Sequence, residues 1–126
     1  MSIAYNVRQV RGITVVDLDG KITAGETLTS ASGSGPTLHE FIRDLLTEGH
    51  KDILLNLRGV SHIDSSGIGE LFACLTTLQN QGGALKLTNP NERVKNLLSL
   101  TKLNTVLEVI QDESAAVQSF SSAGAA

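Results

Sequence analysis

The sequence predicts an α/β fold: a small mixed, mostly parallel sheet of about five strands with about four helices. Three observations predict it. From residue 36 onward, short β-like runs alternate with amphipathic segments of helical length, the pattern of right-handed parallel crossovers. The run Asp52–Leu57 (DILLNL) is almost continuously apolar, as a strand buried on both faces requires. And 126 residues with 40% hydrophobic and 18% charged side chains suffice for a hydrophobic core without disulfide or metal staples. One domain over residues 1–120 is expected, with residues 121–126 fraying.

Ile3–Val10 and Ile13–Leu18 are the first two strands, joined through Arg11-Gly12 as a hairpin and closed by Asp19-Gly20. Residues 23–36 (TAGETLTSASGSGP) are dominated by Ser, Thr and Gly around a lone Leu28 and read as an extended, mobile loop. Pro36-Thr37 opens a helix whose stripe is Leu38, Phe41, Ile42, Leu45 and Leu46, with Gly49 past its end. After Asp52–Leu57, a second helix begins near Ser65, with Ile68, Leu71, Phe72, Leu75 and Leu78 facing inward, and stops at Gly82-Gly83. Ala84–Thr88 is a strand, and Glu92–Leu100 a helix carrying Val94, Leu97 and Leu98 inward. Val106–Gln111 is a strand, and Asp112–Phe120 a last short helix capped by Asp112. Only the opening hairpin is expected to be antiparallel.

Charge and composition exclude several functions. A net charge of −3, with ten basic residues scattered along the chain, is a poor footprint for nucleic acid. With no Trp, one Tyr and three Phe, aromatic platforms for bases or sugars are scarce. The single cysteine, Cys74, excludes a disulfide framework and a multi-cysteine zinc site. No metal or cofactor is expected. No apolar run approaches the ~20 residues that cross a bilayer, and the N-terminus does not read as a signal peptide, so no membrane association and a cytoplasmic location are expected.

The most informative stretch is His62-Ile63-Asp64-Ser65-Ser66-Gly67-Ile68-Gly69, between a buried strand and a helix. Helix starts leave backbone N–H groups unpaired and are electropositive, so either serine hydroxyl sits beside a local positive end. Asp and Ser are also ordinary N-cap residues, and one would suffice for that. Three stacked candidates ahead of Gly67 and Gly69 are more than capping requires. Sharper chemistries fail. Position 72 is Phe, so no dinucleotide fingerprint is complete; no Gly-Lys-Ser/Thr phosphate loop exists; and Ile63 stands where a nucleophile elbow needs glycine. His39 and His50 are expected on the solvated surface, His62 in a polar loop, and Cys74 in a half-buried helical position. No catalytic constellation emerges, and the chain reads as a non-enzyme.

Leu55-Asn56-Leu57, Val60 and Ile63–Gly69 together resemble the signature of the STAS domain, and more narrowly that of bacterial anti-sigma factor antagonists. Gly20-Lys21-Ile22, Gly82–Leu87, Val94–Leu98 and Leu103 extend the resemblance over most of the chain. It implies a binding module switched by phosphorylation. The unphosphorylated form binds an anti-sigma factor that is also a serine protein kinase and frees the sigma factor; a phosphatase reverses the modification. Ser65 is the matching acceptor and Ser66 its usually unmodified neighbour, with Asp64 orienting or capping and Ser66, Gly67 and Ile68 in the docking patch. Thr23 stands where the family commonly has an acidic residue near the acceptor, and the aligned acid comes only at Glu26. The expected state is a monomer or weak dimer. Two other readings stay open: a constitutive scaffold or ligand-sensing component of a larger signalling assembly, and, third, a small serine hydrolase.

Overall fold

The computed structural model describes residues 2–22, 27–30, 33–34, 37–102 and 107–124. Strand β1 (Ser2–Val10) turns antiparallel into β2 (Ile13–Ile22) through Arg11 and Gly12. Both turn residues have positive φ, +52° and +81°, the two-residue geometry whose twist matches the flanking strands. Strands β3 (Thr27–Ser30) and β4 (Gly33–Ser34) follow, then helix α1 (Leu38–Thr47), strand β5 (Asp52–Ile63) and helix α2 (Ser65–Asn80). The chain continues with β6 (Ala84–Thr88), α3 (Glu92–Leu100), β7 (Glu108–Ile110) and α4 (Glu113–Gly124).

The sheet order is β4-β3-β1-β2-β5-β6-β7. Its body is the expected five-stranded mixed sheet, with β2, β5, β6 and β7 mutually parallel and β1 antiparallel to β2. The segment read as a loop departs from expectation: β3 pairs with β1 in parallel and β4 folds back on β3. Its Ser- and Thr-rich composition lacks the alternation that marks a half-buried strand, yet Thr is a good strand former once a sheet edge offers backbone partners. Two strands are also longer than expected. Asp19-Gly20 does not end β2, and β5 runs six residues past Leu57, because register shifts at Asp17/Asp19 and Gly20/Lys21 absorb the turn-like residues as bulges. The last strand is confined to Glu108–Ile110 among the described residues; Leu103 and Val106 lie outside them. Helix α4 continues through Gly124, four residues beyond the expected end at Phe120.

The sheet is dressed unequally. On one face α1, α2 and α3 bury Leu38, Ile42, Leu71, Leu78, Val94 and Leu98 against Val16, Leu18, Leu55, Leu57 and Leu87. On the other, α4 is the one element among the described residues that packs, setting Ala116, Val117 and Phe120 over Ile13, Val15 and Leu54. The alternation of β2 and β5 explains this division, since neighbouring residues of a strand face opposite sides. Arg8 fastens the start of α4: its guanidinium donates to Asp17 Oδ2 and Oδ1 at 2.7 and 2.8 Å and to Glu113 Oε1 at 2.7 Å.

Candidate functional site

The site is built where β5 hands over to α2. Ile63, the last residue of β5, is 1% exposed and anchors the crossing point in the main core. Asp64 then leaves strand geometry as the N-cap of α2 (φ −100°, ψ −177°). Its backbone N–H donates to the Ile22 carbonyl of β2 at 3.3 Å, and its carbonyl accepts from Ile68 N at 2.9 Å. Its carboxylate Oδ1 accepts from Gly67 N at 2.8 Å, neutralising one of the orphan donors of the first turn. Asp64 is therefore held at three points.

With the cap filled by Asp64, the serines are released from that duty. Ser65 and Ser66 are the first two helical residues, and both are exposed. Their N–H groups precede the intrahelical ladder, and the helix dipole is positive at this end. The arrangement offers a primary hydroxyl to solvent on a backbone fixed from below.

Gly67 and Ile68, expected on a docking patch, instead turn inward. Gly67 is buried so closely beneath β2 that a Cβ there would overlap the Ile22 carbonyl oxygen, and Ile68 is 8% exposed within the core. Helical geometry gives the reason: the face that meets the sheet runs through residues 67, 71, 74 and 78, so Ser65, Ser66 and Gly69 point outward. The same rotation corrects Phe72, which is 48% exposed rather than part of the inward stripe. Cys74 takes the inner position, fully buried, with its thiol pKa pushed up chiefly by burial. Thr23 lies outside the described residues, as does Glu26.

Sequence reasoning missed the joint between α1 and α2. Glu70 Oε1 accepts from His39 N at 2.8 Å, placing a carboxylate at the start of α1, where the helix dipole favours it. His39 Nε2 lies 2.8 Å from Thr77 Oγ1 of α2, and His50 Nδ1 lies 3.0 Å from Thr14 Oγ1 of β2. Neither ring is the solvated surface group expected; both are half-buried and serve tertiary contacts. The start of α1 had a local signal: Thr37 and Glu40 complete a reciprocal capping box. The contacts to α2 had none.

Comparison with known proteins places this geometry. Residues 4–116 match the family model of the STAS domain. The anti-sigma-B factor antagonist of Bacillus subtilis (strain 168) is 30% identical over 118 residues, covering 94% of this chain and all of that protein. An anti-sigma factor antagonist from Mycobacterium paratuberculosis superposes with a TM-score of 0.74 at 18% identity, over 93% of this chain and 92% of its own. The phosphorylated form of the Bacillus cell fate determinant SpoIIAA gives 0.62 at 19% identity, over 90% and 97%. The two structures share the fold. No helix among the described residues is long and apolar enough to cross a membrane. From the capped crossover of β5 into α2 to the match over nearly its whole length, the chain belongs to the STAS domain family.

Proposed function

We propose that this protein is a phosphorylation-switched anti-sigma factor antagonist. In this reading it binds an anti-sigma factor that is also a serine protein kinase, and does so when Ser65 is unmodified. The observation that carries the reading is the exposed Ser65 hydroxyl at the first residue of α2, beside an aspartate already committed to the cap. Support comes from the relative named as an anti-sigma-B factor antagonist, matched end to end, and from a similar fold known in a phosphorylated form.

The switch follows from charge. A phosphate on Ser65 adds roughly −1.5 to −2 charges and three acceptor oxygens at a helix start, which tolerates anions. Ser65 lies on the surface, so the group enters water without displacing packed atoms. The fold stays; the docking surface changes. A partner that buries Ser65 and Ser66 against an unmodified helix start meets a dianion next to the Asp64 carboxylate, at a cost in repulsion and desolvation. Gly67 and Ile68 act from beneath, fixing the height and pitch of the turn that displays the serines. In this reading Thr23 is a partner-binding residue, and a phosphatase restores the binding form. The protein itself performs no catalysis.

Incubation with an anti-sigma factor kinase of the same organism and ATP, followed by phosphopeptide mapping, tests the assignment. Phosphate is expected on Ser65, lost in Ser65→Ala and kept in Ser66→Ala, with kinase binding abolished in Ser65→Asp. Labelling that follows Ser66, or binding indifferent to Ser65→Asp, overturns it.

A further inference from the structure

The face of the sheet opposite α1–α3 is only partly covered, and its uncovered end carries an open groove whose exposed lining is mostly apolar, with a few charged and amide side chains set into it. On β2 the residues between core-facing Val16, Leu18 and Ile22 include Asp17 and Asp19; on β5 those flanking Leu57 are Asn56 and Arg58; on β1 Asn6 lies alongside. Helix α4 covers the end where Ile13, Val15 and Leu54 sit and stops there. What remains is a solvent-accessible groove of about 430 Å³, lined by Ala4, Asn6, Asp17, Asp19, Asn56 and Arg58 among others. That volume lies within the range of small-molecule sites, about 300–1,000 Å³.

The groove's side chains divide into two sets. One set is locked. Asp17 accepts from Arg8, from Asn56 Nδ2 at 2.7 Å and from Asn6 Nδ2 at 3.3 Å, while Asn56 Oδ1 accepts from Arg58 N at 3.1 Å and Asn89 Nδ2 at 3.2 Å. These bonds use up Asp17 and leave a stiff floor. The other set is free: among the described residues, neither the Asp19 carboxylate nor the Arg58 guanidinium has a hydrogen bond or ion pair, although they line the same groove with opposite charges. Gly59, opposite Asp19 in register, explains how the carboxylate is kept over the strand. A Cβ there would come within 2.8 Å of the Leu18 carbonyl oxygen and 3.0 Å of the Asp19 carboxylate.

We propose that this groove binds a small zwitterion of amino-acid or dipeptide type, its ammonium group on Asp19 and its carboxylate on Arg58. A guanidinium fork suits a carboxylate, and Asn6, bound to Asp17 through its Nδ2, adds a neutral acceptor to the lining. Charge complementarity selects the ligand class: a plain anion leaves Asp19 facing it, and a plain cation leaves Arg58 facing it. The site is separate from Ser65, and its fate does not depend on the switch.

The test is a titration of the full chain, followed by backbone amide NMR, with the proteinogenic L-amino acids and glycylglycine as probes. At least one zwitterion is expected to shift the Asn6, Asp19, Arg58 and Gly59 amides saturably, with a midpoint of about 1 mM or tighter. Asp19→Asn and Arg58→Gln are each expected to weaken it roughly tenfold or more, as losing one charged hydrogen-bond partner implies. Both side chains are on the surface, and the same spectra report whether each variant keeps its fold. Methylamine and acetate, which carry one charge each, are expected to bind at least as weakly as the zwitterion binds the variants. The proposal is overturned by the absence of any saturable shift, by affinity that both substitutions leave unchanged, or by acetate or methylamine alone matching the zwitterion.

Discussion

Gly67 and Gly69 stand on opposite sides of the first turns of α2, and the same substitution is expected to move stability in opposite directions at the two. At Gly67 an added Cβ overlaps the Ile22 carbonyl oxygen and comes within 2.8 Å of its carbonyl carbon and 3.0 Å of its Cγ2. The clash is with strand backbone, so relief requires α2 to lift from β2. Such overpacking costs about 1–3 kcal/mol. Lifting also loosens the 2.8 Å bond from Gly67 N to Asp64, a cap contact of about 0.5–2 kcal/mol. Against this stands about 1 kcal/mol of gained helix propensity. The net expectation for Gly67→Ala is a loss of about 0.5–4 kcal/mol, centred near ~2, or roughly 8 °C in Tm at ~4 °C per kcal/mol for a chain of this size. Gly69 meets nothing within 4 Å, so Gly69→Ala keeps the propensity gain and raises Tm by about 2–4 °C. Urea and thermal unfolding followed by circular dichroism measure both, which suits a chain with no Trp. Equal losses at the two positions, or a Gly67→Ala loss below about 0.5 kcal/mol, would refute the packing argument.

Two further expectations concern titratable groups. The Arg8 guanidinium, with help from Asn56 and Asn6, holds the Asp17 carboxyl down at about 2, below the ordinary unfolded value of about 3.9. A depressed folded pKa stabilises above the unfolded value and is lost as pH falls through the folded one, so the urea midpoint should drop between about pH 4 and pH 2, and less steeply in Asp17→Asn. Cys74, buried and with its thiol pKa raised, should resist an aromatic disulfide reagent in the native protein and react fully in urea; rapid native labelling would contradict its placement.

What the sequence disclosed was what local patterns encode. The crossover of β5 into α2, the cap at Asp64 and the outward serines were legible because capping and strand-to-helix change act within a few residues. The extension of β5 through Gly59 and Ser61 was not, since only pairing with Asp19–Ile22 turns those residues into strand. Phe72 was misplaced because its spacing from Ile68 fits a stripe, while the rotation of α2 is set by how closely Gly67 lets it approach β2. The bond from Arg8 to Glu113 joins residues 105 positions apart, and nothing local announces it. The groove between β1, β2 and β5 belongs to the same class: its acids, amides and arginine come together only when the sheet forms.

Among the described residues α4 is the one helix on the far side of the sheet, and its attachment bears on local opening. Its apolar seam is the smaller of the two, supplemented by the Arg8 and Glu113 pairing and by the Lys86 amine, which donates to Ser119 Oγ at 2.9 Å and sits 4.9 Å from the Phe120 ring centroid. Local opening follows the weakest cooperative unit, so α4 amides are expected to exchange with solvent hydrogen ahead of those in β5. Each such excursion bares Val15 and Leu54 on strands whose opposite side stays sealed. The first partly open form is thus expected to be native in outline with one apolar flank bared, and limited proteolysis is expected to begin there.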